Sequence, residues 1–240
     1  EFEPGSKNGT DVSLMLLGRK GHGDAVPAVW MVPSGWGFDK AVVWVHPKGK
    51  ASLWAGDGWA PAVKRLLDAK VAVLAVDVLH TGENVGEPPH VARPTYGHVF
   101  GGYYFGYNRS LAADRVRGVL TAVAHLRDAA KAKSVRVVGW RELGPVAVLA
   151  TAVSGGAVAK TAADLNGFLF DRVDKLDDPL MLPGAVKYGG LGAAVGLCAP
   201  AEVYVFNHRG TATGRWAKAA YDAAGAGDQL TRDEAAVPPE

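Results

Sequence analysis

The feature that most constrains this chain is a rhythm. Short runs of β-branched, apolar residues alternate with stretches whose apolar residues recur at helical spacing. Runs at 12–17, 25–32, 41–46, 71–78, 135–138, 158–165 and 203–206 read as strands, and the last residues add an edge strand, about eight in all. Gly21-His22-Gly23 makes the turn between the first two. Helices fall in between. Val63, Leu66, Leu67 and Lys70 mark one, and Val116, Val119, Leu120, Val123 and Leu126 mark another that starts near Ser110 with Asp114 at its positive end. Further helical stretches end at Ala152 and cover 185–197 and 216–224. A strand buried on both faces shows a continuous apolar run, as Ala41-Val42-Val43-Trp44-Val45 does. The pattern predicts an α/β fold, a mostly parallel sheet with helices on both faces.

At 240 residues the chain is long enough for one such domain, with residues 1–10 expected as a tail or linker. Its 26 basic and 24 acidic residues leave a net charge of +2 without a basic block, so a nucleic-acid partner is not expected. No apolar run approaches the ~18 residues of a membrane span, and no membrane partner is expected. The lone Cys198 excludes an internal disulfide. Gly101-Gly102 and Gly189-Gly190 lack the spacing of a phosphate-binding loop, so no cofactor is expected. Glu1-Phe2 in place of a start methionine reads either as a cloning remnant or as a cut within a longer protein.

Four segments carry a family resemblance. Val45-His46-Pro47-Lys48-Gly49 ends a strand, and Asp77-Val78-Leu79-His80-Thr81-Gly82 ends the next. Val138-Gly139 followed by Gly144-Pro145-Val146-Ala147 has the form of a strand, a sharp turn and a helix. The fourth runs from Asp178-Pro179-Leu180-Met181-Leu182-Pro183-Gly184 through Tyr188-Gly189-Gly190-Leu191 to Cys198-Ala199-Pro200. Together they resemble the α/β-hydrolases, and within them bacterial acetyl-xylan-esterase-like and dienelactone-hydrolase-like proteins. The resemblance places the oxyanion loop at His46 and the nucleophile turn after Gly139. It also implies a degenerate second module of a tandem esterase, beside an adjoining catalytic domain, and favours an extracytoplasmic location.

Ester hydrolysis on this fold needs an activated serine between two glycines, a histidine base and an orienting acid. Counting from Gly139 puts Arg141 at the nucleophile position and Leu143 in place of the second glycine. A guanidinium is permanently protonated and cannot attack a carbonyl. Ser34, Ser52, Ser110 and Ser134 lack the flanking glycines, and Ser154 before Gly155-Gly156 reads as a helix stop. The acid position after the strand at 203–206 reads Asn207-His208-Arg209-Gly210, without a carboxylate. Asp171, Asp174, Asp177 and Asp178 follow the preceding strand, where turn chemistry explains them better. No histidine follows His208.

These losses favour a non-catalytic module with a structural, interaction or ligand-binding role. The alternative is an active hydrolase whose register slips by one, making Glu142 the turn residue and Gly144 its packing glycine. Arg141 and Glu142 are otherwise expected to form a charged plug, Arg141 buried with Asp77 or the aspartate loop, Glu142 with His46 or Lys48. Ligand-binding candidates are His46, Lys48, His80, Tyr103 and Tyr104. The last two belong to an aromatic stretch at 84–107 that either lines a carbohydrate surface or packs onto the domain. His46, His80 and Asp77 do not match a known metal-ligand spacing.

Overall fold

A computed structural model describes residues 5–86, 101–208 and 212–234. In chain order its strands are β1 (Gly5–Lys7), β2 (Thr10–Leu17), β3 (Val26–Pro33), β4 (Lys40–Val45), β5 (Trp54–Ala55), β6 (Gly58–Trp59), β7 (Ala72–Val76), β8 (Ser134–Gly139), β9 (Lys160–Asp164), β10 (Glu202–Phe206) and β11 (Leu230–Arg232). The α-helices are α1 (Pro61–Asp68), α2 (Gly101–Phe105), α3 (Leu111–Ala124), α4 (Gly144–Ala152), α5 (Gly190–Gly196) and α6 (Ala212–Ala223).

Nine strands form one sheet in the order β1-β2-β3-β7-β4-β8-β9-β10-β11, while β5 and β6 pair separately. The first four are joined antiparallel, and every pairing from β7 through β11 is parallel. Eight of the nine were expected from the sequence. The ninth is a correction: Gly5–Lys7, expected as tail, pairs with β2, and Thr10 is buried within that strand. The tail reading failed because a three-residue polar edge strand carries no apolar pattern.

Parity explains the layers. Along β4, Val43 and Val45 pack on one face with Val119, Val123, Val146 and Ala147 of α3 and α4. Val42 and Trp44 pack on the other with Val63 and Leu67 of α1. Beyond β9, Ala163, Val203 and Val205 meet Leu191 and Val195 of α5 and Ala217 and Tyr221 of α6. α3 begins where expected, with Ser110 Oγ accepting from Ala113 N–H at 3.3 Å. The expected helix over 185–197 is confined to Gly190–Gly196, and part of the expected aromatic loop is the helix α2.

The closest approach in the fold lies between β8, α4 and β9. A Cβ on Gly139 would stand 2.5 Å from Ala147 Cβ, and one on Gly144 would stand 1.7 Å from Asp164 O. Backbone cannot yield as a flexible side chain can. Gly144→Ala should therefore destabilise the chain by about 3 kcal/mol or abolish folding, the upper end for overpacking a tight core. A chemical-denaturation midpoint equal to wild type would contradict this packing.

Candidate functional site

The carboxyl ends of β7, β4, β8, β9 and β10 bring the sequence-predicted residues to one edge of the sheet, where ligands bind in open α/β folds. Immediately after β8 the chain makes a turn with Arg141 at φ +51°, a left-handed conformation that costs a bulky residue strain. Arg141 therefore occupies the turn position counted from Gly139. Glu142 follows inside a short 3-10 helix, Arg141–Leu143, and does not share that conformation. Gly144, however, supplies the close approach to β9. The interval from Gly139 to Gly144 is one residue longer than the usual glycine spacing.

Arg141 and Glu142 are both exposed, and among the described residues neither side chain makes a hydrogen bond or salt bridge, although the Arg141 carbonyl accepts from Gly144 N–H. This corrects the expected buried plug. Asp77, the anticipated partner of Arg141, is fully buried and already engaged. Its carboxylate accepts from Lys50 N at 2.7 Å, Lys50 Nζ at 2.5 Å and Glu83 N at 2.8 Å. Gly49 and Gly82, both at positive φ, wrap it so closely that a Cβ on either would collide with the carboxylate. Lys50 also reaches Glu83 at 3.0 Å.

The loop after β4, expected as the oxyanion loop, turns its N–H groups inward. Pro47 has no N–H to donate, and Lys48 N–H is turned onto His46 Nδ1 at 3.0 Å. Gly49 N–H donates to His46 O at 2.7 Å. His46 is half-buried, and burial holds its imidazole below the usual value. Arg141 and Lys48 push the same way, while Glu142 opposes them. Lys48 is exposed. His80 lies at φ +61° with Nδ1 3.1 Å from Gly86 O, away from any shared ligand set with His46. No cluster of metal-binding side chains occurs among the described residues.

At the acid position, Asn207 (φ +52°) donates through Nδ2 to Asp164 Oδ1 at 2.9 Å, and Asn166 N–H donates to the same oxygen at 2.8 Å. Sequence reading missed Asp164, the carboxylate nearest this position; its signal was a charge closing the apolar run Thr161-Ala162-Ala163. His208 Nδ1 is buried without a partner. Asp171, Asp174 and Asp177 are exposed, and Asp178 caps a turn by accepting Leu180 N–H at 2.7 Å, as turn chemistry predicts. Gly155 and Gly156, both at positive φ, end α4 after Ser154. Cys198 is no substitute nucleophile, since burial pushes its thiol up to about 12.

Tyr104 is half-buried; the side chain of Tyr103 and residues 87–100 lie outside the described residues. A second residue that sequence reading missed is Arg115. It falls on the buried face of α3 at the spacing of Ala112, Val119 and Ala122, which was the available signal. It is 6% exposed, and its Nε donates to Leu79 O at 2.9 Å beyond β7.

This arrangement is the α/β-hydrolase fold. No family model matches the chain, and no curated protein matches it. Among solved structures it is similar to a candidate acetyl xylan esterase from Bacteroides fragilis, with a TM-score of 0.64 at 14% identity over 96% of this chain and 68% of that one. A CE15 esterase from a marine bacterial metagenome gives 0.58 at 14% identity, covering 90% of this chain and 69% of that one. An esterase from Pyrococcus furiosus gives 0.57 at 15% identity, covering 94% and 82%. At these identities the likeness is one of fold.

Two predictions follow from the buried and exposed charges. Lys50→Met strands a fully buried carboxylate and should cost about 3–5 kcal/mol, whereas Arg141→Met should stay within about 0.5 kcal/mol of wild type; equal urea midpoints for the two variants would contradict the geometry. His46 and His125 are both held below the usual histidine value, chiefly by burial. The folded chain thus binds fewer protons there than the unfolded chain. Their stabilising effect is complete above about pH 6.5 and is lost as pH falls through the folded values. Urea midpoints at about pH 7.5 and pH 5.5 should show a decline on acidification that is smaller in His46→Gln.

Proposed function

We propose that this chain is a non-catalytic α/β-hydrolase-like module with a structural, interaction or ligand-binding role, standing beside a carbohydrate-esterase-type catalytic domain. The observation that carries the reading is Arg141 at positive φ, in the turn where this fold presents its nucleophile. A guanidinium there neither attacks nor is activated by a neighbouring base. Three further features support it. Pro47 withholds an oxyanion donor, Asn207 ties down Asp164 instead of orienting a base, and Asp77 is consumed by Lys50. The carbohydrate-esterase setting draws on the acetyl xylan esterase and CE15 esterase among the similar structures.

The competing reading, a hydrolase using Glu142 as nucleophile, is weaker because Glu142 lies one residue past the positive-φ position that Arg141 holds. The two separate cleanly in solution. The chain should hydrolyse short acyl esters no faster than Arg141→Ala does. Arg141→Ser should not gain burst kinetics, since an unassisted hydroxyl is a weak nucleophile at neutral pH. Saturable turnover lost in Glu142→Gln but kept in Arg141→Ala would overturn the non-catalytic reading.

A further inference from the structure

The fold divides the end of the aromatic stretch. Tyr104 is half-buried, its ring 5.3 Å from that of Phe105 in a T-shaped contact, while Tyr107 is 91% exposed. Both line a half-open cavity of about 450 Å³ where α2 gives way to α3. That volume lies within the range of about 300–1,000 Å³ usual for small-molecule sites. Asn108, Arg109, Asp114 and Arg117 supply its polar wall. Ser110 fixes the first turn of α3, and with it Asp114 and Arg117, three residues apart on one face. Arg109 Nε donates to Asp114 Oδ1 at 3.1 Å, and Arg117 Nη2 lies 3.1 Å from the same oxygen. Among the described residues the second oxygen, Asp114 Oδ2, accepts no hydrogen bond, and each guanidinium keeps further N–H groups. Asn108 Nδ2 donates to Tyr104 O at 3.1 Å, which leaves its Oδ1 as an acceptor. Solvent reaches this wall: the side chains of Arg109, Arg117 and Asp114 are 62%, 29% and 23% exposed.

We infer that this cavity binds the pyranose ring of a neutral saccharide, stacked on Tyr107, with adjacent hydroxyls bridging Asp114 and the two arginines. The wall alternates donor, acceptor and donor. A carboxylate oxygen only accepts and a guanidinium only donates, whereas a hydroxyl does both, so neighbouring hydroxyls satisfy the two kinds together. A charged ligand fits worse, since Asp114 repels an anion and Arg109 and Arg117 repel a cation. The Tyr107 ring offers a rigid apolar face with few torsions to freeze, suited to the C–H face of a sugar ring. None of these residues belongs to the edge formed by His46, Asp77, Arg141 and Asn207, so occupancy does not depend on the catalytic positions. The inference deepens the ligand-binding side of the non-catalytic reading and rests on it.

The full chain is titrated with cellobiose and with maltose, followed by saturation-transfer NMR, with sorbitol as an acyclic polyol and acetate as an anion for comparison. Saturable binding of either disaccharide in the millimolar range, and of neither comparison compound, is the expected result. Tyr107→Ala should weaken it about fivefold through the lost stacking contact. Tyr107→Phe keeps the ring and should retain binding. Arg109→Gln and Asp114→Asn should each weaken it severalfold by removing a hydrogen bond to a charged group. If Asp114→Asn does not melt cooperatively, Tyr107→Ala and Arg109→Gln carry the test, because both positions are exposed. Tyr188→Ala, which removes a ring 74% exposed elsewhere, should leave the affinity unchanged. Absence of saturation, sorbitol or acetate binding as tightly as the disaccharides, or an affinity unchanged in Tyr107→Ala or Arg109→Gln would overturn the site. Ester turnover measured on the same samples keeps the two ideas apart: turnover with saccharide binding intact defeats the non-catalytic reading alone, and neither turnover nor saturation defeats the saccharide site alone.

Discussion

Asp77 holds the functional edge of this molecule together. A carboxylate with no solvent exposure persists only if its charge and lone pairs are met, and here two backbone N–H groups and the Lys50 ammonium meet them. Those donors come from different loops. Lys50 follows β4 and Glu83 follows β7, so satisfying one side chain ties the loops after two neighbouring strands to each other. The tie demands glycine at Gly49 and Gly82, where any side chain would enter the carboxylate. It also dictates the path of 46–49, which turns Lys48 N–H back onto His46. The geometry that stabilises the edge is therefore the same geometry that occupies the N–H groups of Lys48 and Gly49 within the loop.

The second constraint is steric and lies one strand along. Gly139 and Gly144 let α4 descend onto β8 and β9, and Gly144 touches the carbonyl of Asp164. Between them the chain must reverse within a few residues, and Arg141 absorbs the reversal with a positive φ that costs on the order of 1–3 kcal/mol. Leu143 and the first turns of α4 are fully buried, which secures the turn from below. Strain at this position thus follows from packing the helix, whatever side chain stands there. A positive φ at the end of β8 is evidence about architecture, and only the identity of the residue speaks to reactivity.

Much of this was legible in the sequence because periodicity reports burial. The continuous apolar runs of β4 and β7 and the apolar run of β8 located the parallel core, and Ser110 marked where α3 begins. Polar edge structure was not legible, since β1 is held by hydrogen bonds alone and leaves no apolar trace. At the site, the residues at the expected catalytic positions, Arg141, Asn207 and His208, followed from counting along the motif. The partners did not. Asp77 was one of two candidate partners for Arg141, beside the 171–178 loop, but Lys50 delivers both a side-chain and a backbone donor to it. Burial of Arg141 was expected from its place at the carboxyl edge of the sheet under the aromatic stretch, whereas the residue is exposed. Arg115 and Asp164 were passed over as ordinary helix and strand residues, although each is a charge at a position whose neighbours are buried.

The electrostatics of the edge explain why these two missed residues matter most. A charge on the surface is screened and cheap, so Arg141, Glu142 and Lys48 constrain the fold little. A buried charge must be matched. Asp77 has Lys50, and Asp164 has two hydrogen-bond donors from Asn166 and Asn207. Arg115 alone has a single carbonyl and an idle nitrogen. Burial pulls its affinity for a proton down and Glu142 pulls it back up, yet a guanidinium starts so high that it stays charged throughout. The charge cannot be shed by titration, as a lysine or histidine there would shed it.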